Sequence, residues 1–103
     1  MFQLTFEESI WTLSSDDGVA DGFAFSDKDL LKLGKALQSA LNGVESTYYR
    51  DNGKVCKVQQ SNSKANRIVI EGESGIFSAP FLRITFTDAR KLVFLLSGLN
   101  ARK

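Results

Sequence analysis

Two stretches of the chain, 23–42 and 84–100, repeat one grammar: a strand bearing an aromatic residue, a hydroxyl residue, an aspartate, then a leucine-rich helix. Phe25-Ser26-Asp27 opens the first helix and Phe86-Thr87-Asp88 the second. Such a chain has to lay two helices on strands, because a helix with an apolar face must bury it against another layer. The segments around the two units do not align, so the pattern reads as one capping solution reached twice and not as a duplication.

Ser26-Asp27-Lys28-Asp29 has the spacing of a capping box, with Asp standing in for Glu or Gln, and both aspartates lie where the helix dipole favours negative charge. Leu30, Leu33, Leu37 and Leu41 follow at helical spacing, Lys28, Lys32 and Lys35 take a different face, and Asn42-Gly43 supplies a stop. The second helix, expected from Asp88, differs. Leu92-Val93-Phe94-Leu95-Leu96 and Leu99 are interrupted only by Ser97 and Gly98. A helix apolar nearly all round is buried on several sides or shared with a partner. If Leu92, Val93, Leu96 and Leu99 face a sheet, Phe94 falls near Arg90 and Ser97 on the side that should be wet.

The remaining segments read as strands. Phe2, Leu4 and Phe6 alternate with polar residues, and the apolar phase then slips to Trp11 and Leu13, which a bulge or break near Glu7-Glu8-Ser9 accounts for. Ser14-Ser15-Asp16-Asp17-Gly18 signals a turn, and 19–25 returns as a strand with Phe23 and Phe25 on one face, so a long hairpin is expected at the start. Asn52-Gly53 predicts a two-residue type I′ turn, which sets Asp51 opposite Lys54, Tyr49 opposite Cys56 and Thr47 opposite Val58. Residues 67–71 form a short strand, 72–75 a turn, and 76–86 a strand interrupted by Pro80. The expected fold is α+β: a single mainly antiparallel sheet of six to seven strands with two helices packed on it, in the order hairpin, helix, strands, helix. One domain spans 1–103, long enough for a core without metal or disulfide staples.

Composition narrows function by exclusion. Thirteen basic and twelve acidic residues leave a net charge of +1, giving no global attraction to nucleic acid or an anionic membrane. Histidine is absent, which removes the commonest general base and most zinc sites. The one cysteine, Cys56, has no second thiol and reads as a small buried hydrophobe. The acidic pairs Glu7/Glu8, Asp16/Asp17, Asp27/Asp29 and Glu71/Glu73 each fit a bulge, turn or helix start. No catalytic residue, cofactor or metal site is expected. The start alternates like a strand and not like a signal peptide, and no run approaches the ~20 apolar residues of a membrane span. A cytoplasmic protein with no membrane contact is expected.

Two surfaces remain. On the second helix, Arg90, Phe94 and Leu95 form a candidate protein interface, including a candidate homodimer in which the patch meets itself. On the central hairpin, Tyr48, Arg50 and Lys57, continued by Lys64 and Arg67, interleave aromatic and basic residues as a nucleic-acid face would. The expected function is a small non-catalytic protein-binding module of inhibitor, immunity-like or adaptor type. Nucleic-acid binding through the sheet is the alternative.

Overall fold

The chain forms, in order, β1 (Phe2–Glu7), β2 (Ile10–Ser15), β3 (Phe23–Phe25), α1 (Asp27–Leu41), β4 (Ser46–Tyr49), β5 (Val55–Gln60), β6 (Arg67–Glu71), β7 (Phe81–Thr85) and α2 (Phe86–Ala101). A computed structural model describes residues 2–16, 23–49, 53–62, 65–72 and 81–101, with side chains as far as residue 98. The α+β class holds, but the strands make two antiparallel sheets, β1-β2-β3 and β4-β5-β6-β7, in place of one. The break falls at Ser26: the chain passes from β3 straight into a helix, so sheet A ends before sheet B begins. The sheets touch through a side chain and not a ladder, where the Ser15 hydroxyl donates to the Arg83 carbonyl at 2.7 Å.

Sheet A is a meander and not a long hairpin. Glu8 (φ 53°) and Ser9 (φ 67°) both take the left-handed conformation that a two-residue type I′ turn needs. The ladder then pairs Leu4 with Leu13 and Phe6 with Trp11, even positions with odd. The slip in apolar phase is therefore the chain reversing on itself, with no bulge. Phe23 and Phe25 pair with Leu13 and Trp11 and are buried, as their alternation predicts.

The central hairpin differs from its expected register by one residue. Tyr48 lies opposite Cys56, Thr47 opposite Lys57, and Tyr49 opposite Val55. Gly53 has φ 81°, in the left-handed region. Asn52 itself, and the expected partner Asp51, lie outside the described residues. Because side chains alternate faces, a slip of one residue exchanges the faces of β4 relative to β5. The expected strand over 76–86 is described from Phe81, and Phe86 already belongs to α2.

Both helices start on a hydroxyl. The Ser26 hydroxyl accepts from the Asp29 N–H at 3.2 Å, as the sequence predicts. In α2 the cap is Thr85 and not Thr87: its Oγ1 accepts from the Asp88 N–H at 3.0 Å, while Thr87 is exposed. The two units therefore align as Phe25-Ser26-x-x-Asp29 with Ile84-Thr85-x-x-Asp88. In that alignment Leu33 matches Leu92 and Leu37 matches Leu96, and all four are buried. α1 stops in a Schellman arrangement, with Gly43 at φ 85°, its N–H donating to Ala40 O (3.0 Å) and that of Val44 to Ser39 O (2.8 Å).

One continuous core joins all layers. Leu13, Phe23 and Phe25 enter from sheet A, Cys56, Val58, Ile68, Ile70, Leu82 and Ile84 from sheet B, Leu30, Leu33, Ala36, Leu37 and Ala40 from α1, and Ala89, Leu92 and Leu96 from α2. Neighbouring strands of sheet B alternate in direction, so β4 and β7 run oppositely. α1 turns tightly back into β4 and α2 leaves β7 without a loop, so the helices cross the sheet antiparallel to each other. An ideal Cβ at Gly34 would sit 3.5 Å from the Leu96 side chain, which shows how closely α2 approaches α1 there.

The cap assignment is testable. Thr85→Ala should cost about 1 kcal/mol of folding stability by urea denaturation, and Thr87→Ala less than about 0.5 kcal/mol. In the first turn, replacing Glu8-Ser9 with Asn-Gly should stabilise the chain by about 1 kcal/mol, because glycine and asparagine accept the left-handed region at lower cost.

Candidate functional site

Helical geometry sets the exposed face of α2. Ala89, Leu92 and Leu96 point into the core, which turns Arg90, Lys91, Phe94 and Leu95 outward. Phe94 is 78% exposed and Leu95 49% exposed, so the core does not close over either residue. Arg90 precedes Phe94 by four residues and Lys91 precedes Leu95 by four, so each exposed apolar side chain has a cation on the adjacent turn. A large exposed aromatic on a well-packed helix leaves apolar surface in water that a partner can cover.

Val93 and Ser97 lie between that outer face and α1. Together with Leu31, Lys35 and Gln38 of α1 they wall a groove of about 330 Å³, floored by Gly34 and Leu96. The groove exists because residue 34 has no side chain and because the helices present matching edges to each other. Its α1 wall recurs at i, i+4 and i+7, a signal visible in the sequence, but which helix stands across from it is set only by the tertiary arrangement.

The structure divides the residues proposed for nucleic acid. Tyr48 packs against the core side of sheet B, sharing a face with Cys56. Lys57 is on the outer face, where its Nζ lies 3.3 Å from Glu45 Oε1. Arg67 also faces outward, but its Nη1 donates to the carbonyls of Ala65 (3.3 Å) and Asn66 (3.4 Å). Lys57 pairs across from Glu71, four residues along β6 from Arg67, or roughly 13 Å of strand. Arg50 and Lys64 lie outside the described residues. The outward aromatic of β4 is Tyr49, 67% exposed, a residue the expected register turned inward. The aromatic and basic side chains named for base stacking and phosphate contact therefore do not share one face.

The carboxylates have structural partners of their own. Asp27 Oδ1 accepts from the Trp11 indole N–H at 2.8 Å, tying α1 to sheet A. Glu7 and Glu8 flank and form the β1–β2 turn. Among the described residues, no three cysteine, aspartate or glutamate side chains gather closely enough to hold a metal ion. No helix among them is long and apolar enough to cross a membrane. Exposed apolar side chains also occur at the other end of sheet A, where Phe6 (ring centroid 4.6 Å from that of Trp11) and Ile10 flank Glu7 and Glu8.

Comparison with family models, curated proteins and solved structures yields no match for this chain. The geometry of α2 makes a direct stability prediction. Phe94→Ser should leave the urea midpoint within about 0.5 kcal/mol of the parent, whereas Leu92→Ala, two residues away, should lose about 2–5 kcal/mol.

Proposed function

We propose that this chain is a small non-catalytic protein-binding module that acts by occupying a partner's surface, in the manner of an inhibitor, an immunity-like protein or an adaptor. The observation that carries the proposal is Phe94: a phenylalanine almost wholly in solvent, on a helix whose opposite face is fully packed. Its neighbours favour a binding role, because Leu95 extends the apolar surface and Arg90 supplies a directional charge beside it. Aromatic and arginine side chains contribute disproportionately to protein interfaces. The absence of histidine accords with a protein that binds and does not catalyse. A cytoplasmic location goes with this proposal, since the single cysteine is buried in the core and has no second cysteine to pair with.

A photo-crosslinking side chain in place of Phe94 tests this in the native cell. It should capture a defined partner protein. With that partner purified, Phe94→Asp should weaken binding by about tenfold or more without shifting the thermal midpoint. No capture, or equal binding by Phe94→Asp, overturns the proposal. Retardation of a mixed-sequence oligonucleotide at low salt, lost on raising the salt, would favour the nucleic-acid alternative instead. Sedimentation that depends on protein concentration, and is abolished by Phe94→Asp, would identify the partner as a second copy.

A further inference from the structure

We infer that the groove between α1 and α2 receives an acidic amphipathic helix from the partner protein. The inference rests on the binding role proposed above and adds the chemistry of what is bound. Two observations carry it: the shape of the groove, and the exposed cations on the two helices that form it.

The groove is floored by Gly34 and Leu96 and walled by Leu31 and Val93, so its lower part is apolar. It runs between two antiparallel helices, and the ridge of a third helix, with apolar side chains at i, i+3, i+4 and i+7, fits such a channel. The Gly34–Leu96 approach fixes the level of one helix against the other. Lys35 lines the groove from α1, while Phe94 follows the Val93 wall by one residue, on the outer face of α2. A helix lying in the groove would meet Lys35 on the α1 side and Val93 and Ser97 on the α2 side, next to Phe94 in the chain.

Lys35 is the charged residue lining the groove, and further cations lie on the exposed faces of the two helices. Lys28 and Lys35 on α1 and Arg90 and Lys91 on α2 are all exposed, and none of the four is ion-paired. The acidic residues of the same helices sit elsewhere: Asp27 is bound to Trp11, Asp29 is buried, and Asp88 lies in the capped first turn of α2. Lys28 and Lys32 are four residues apart and Lys32 and Lys35 three apart, spacings at which like charges destabilise a helix. Lys32 is drawn the other way, donating to Tyr49 O at 3.3 Å. The strands and their connections carry both signs, with Lys54, Lys57, Arg67 and Arg83 as well as Glu7, Glu8, Glu45 and Glu71. On the two helices the exposed charges left without a partner are cations, the complement of a helix with an apolar stripe and acidic flanks. A second copy meeting the same face would set Arg90, Lys91 and Lys35 against the same cations, which disfavours a symmetric dimer here.

The test uses a helical peptide of about 18 residues, long enough to hold its fold, with a leucine stripe at i, i+3, i+4, i+7 and glutamates on both flanks. Its counterpart carries lysines at the glutamate positions. Fluorescence anisotropy should show the glutamate peptide binding at least about tenfold more tightly, with affinity falling as salt rises. The Lys35→Glu/Arg90→Glu variant, shown folded by circular dichroism, should invert that preference. Equal binding of both peptides, no binding of either, or an unchanged preference in the variant overturns the inference. So does a mixed-sequence oligonucleotide or a phosphatidylglycerol vesicle binding through the same cations while the glutamate peptide does not. If a partner captured at position 94 binds the charge-reversed variant as tightly as the parent, the acidic helix is wrong and the binding module stands. If position 94 captures nothing, both fail.

Discussion

The hydroxyl caps at Ser26 and Thr85 are the joints on which the rest depends. Each lets the chain leave a strand and enter a helix within one residue, with an orphan backbone N–H satisfied by the side chain. Seven residues beyond each cap stands a fully buried leucine, Leu33 or Leu92, and four beyond that another, Leu37 or Leu96. Once those leucines are seated in the core, the opposite faces have no freedom. Lys35 and Phe94 must face water, and Gly34 must face α2. The groove and the lysine that lines it are by-products of how the core is filled.

Likeness of the two units ends at the surface. With Ser26 aligned on Thr85, Lys35 corresponds to Phe94, Lys32 to Lys91 and Ala36 to Leu95. Ala36 is buried beneath α1, whereas Leu95 is half exposed at the flank of α2. The same backbone device thus carries a polar outer face in one copy and an apolar one in the other. That asymmetry leaves large apolar side chains in water on α2 and none on the corresponding positions of α1.

Local grammar was legible in the sequence, and arrangement was not. The limits of α1, its cap and its glycine stop follow from short-range chemistry, as do the buried faces of β3, β5 and α1. Periodicity reports which face of a strand is apolar but not which strand lies beside it, so two sheets were indistinguishable from one. Glu8-Ser9 hides a tight turn because neither residue favours the left-handed region, and the pairing of even with odd positions then imitates a bulge. At the central hairpin an Asn-Gly signal pointed to the right place with a register wrong by one, enough to put Tyr48 and Lys57 on opposite faces. Spacing turned Phe94 outward only on condition that Leu92 and Leu96 face the core, a condition that the tertiary arrangement supplies. The groove was not legible, because its two walls lie some sixty residues apart in the chain.

The burial of Cys56 gives the protein an internal clock. Its thiol sits near the start of β5, in the core and wholly out of solvent. An alkylating reagent can reach it only when the helical layer lifts from sheet B or the strand itself opens. Because no other cysteine competes, the labelling rate of the unaltered chain reports one event, the opening of its core. A ligand seated between α1 and α2 would hold that layer down and slow the reaction, so occupancy at the surface can be timed from a single atom in the interior.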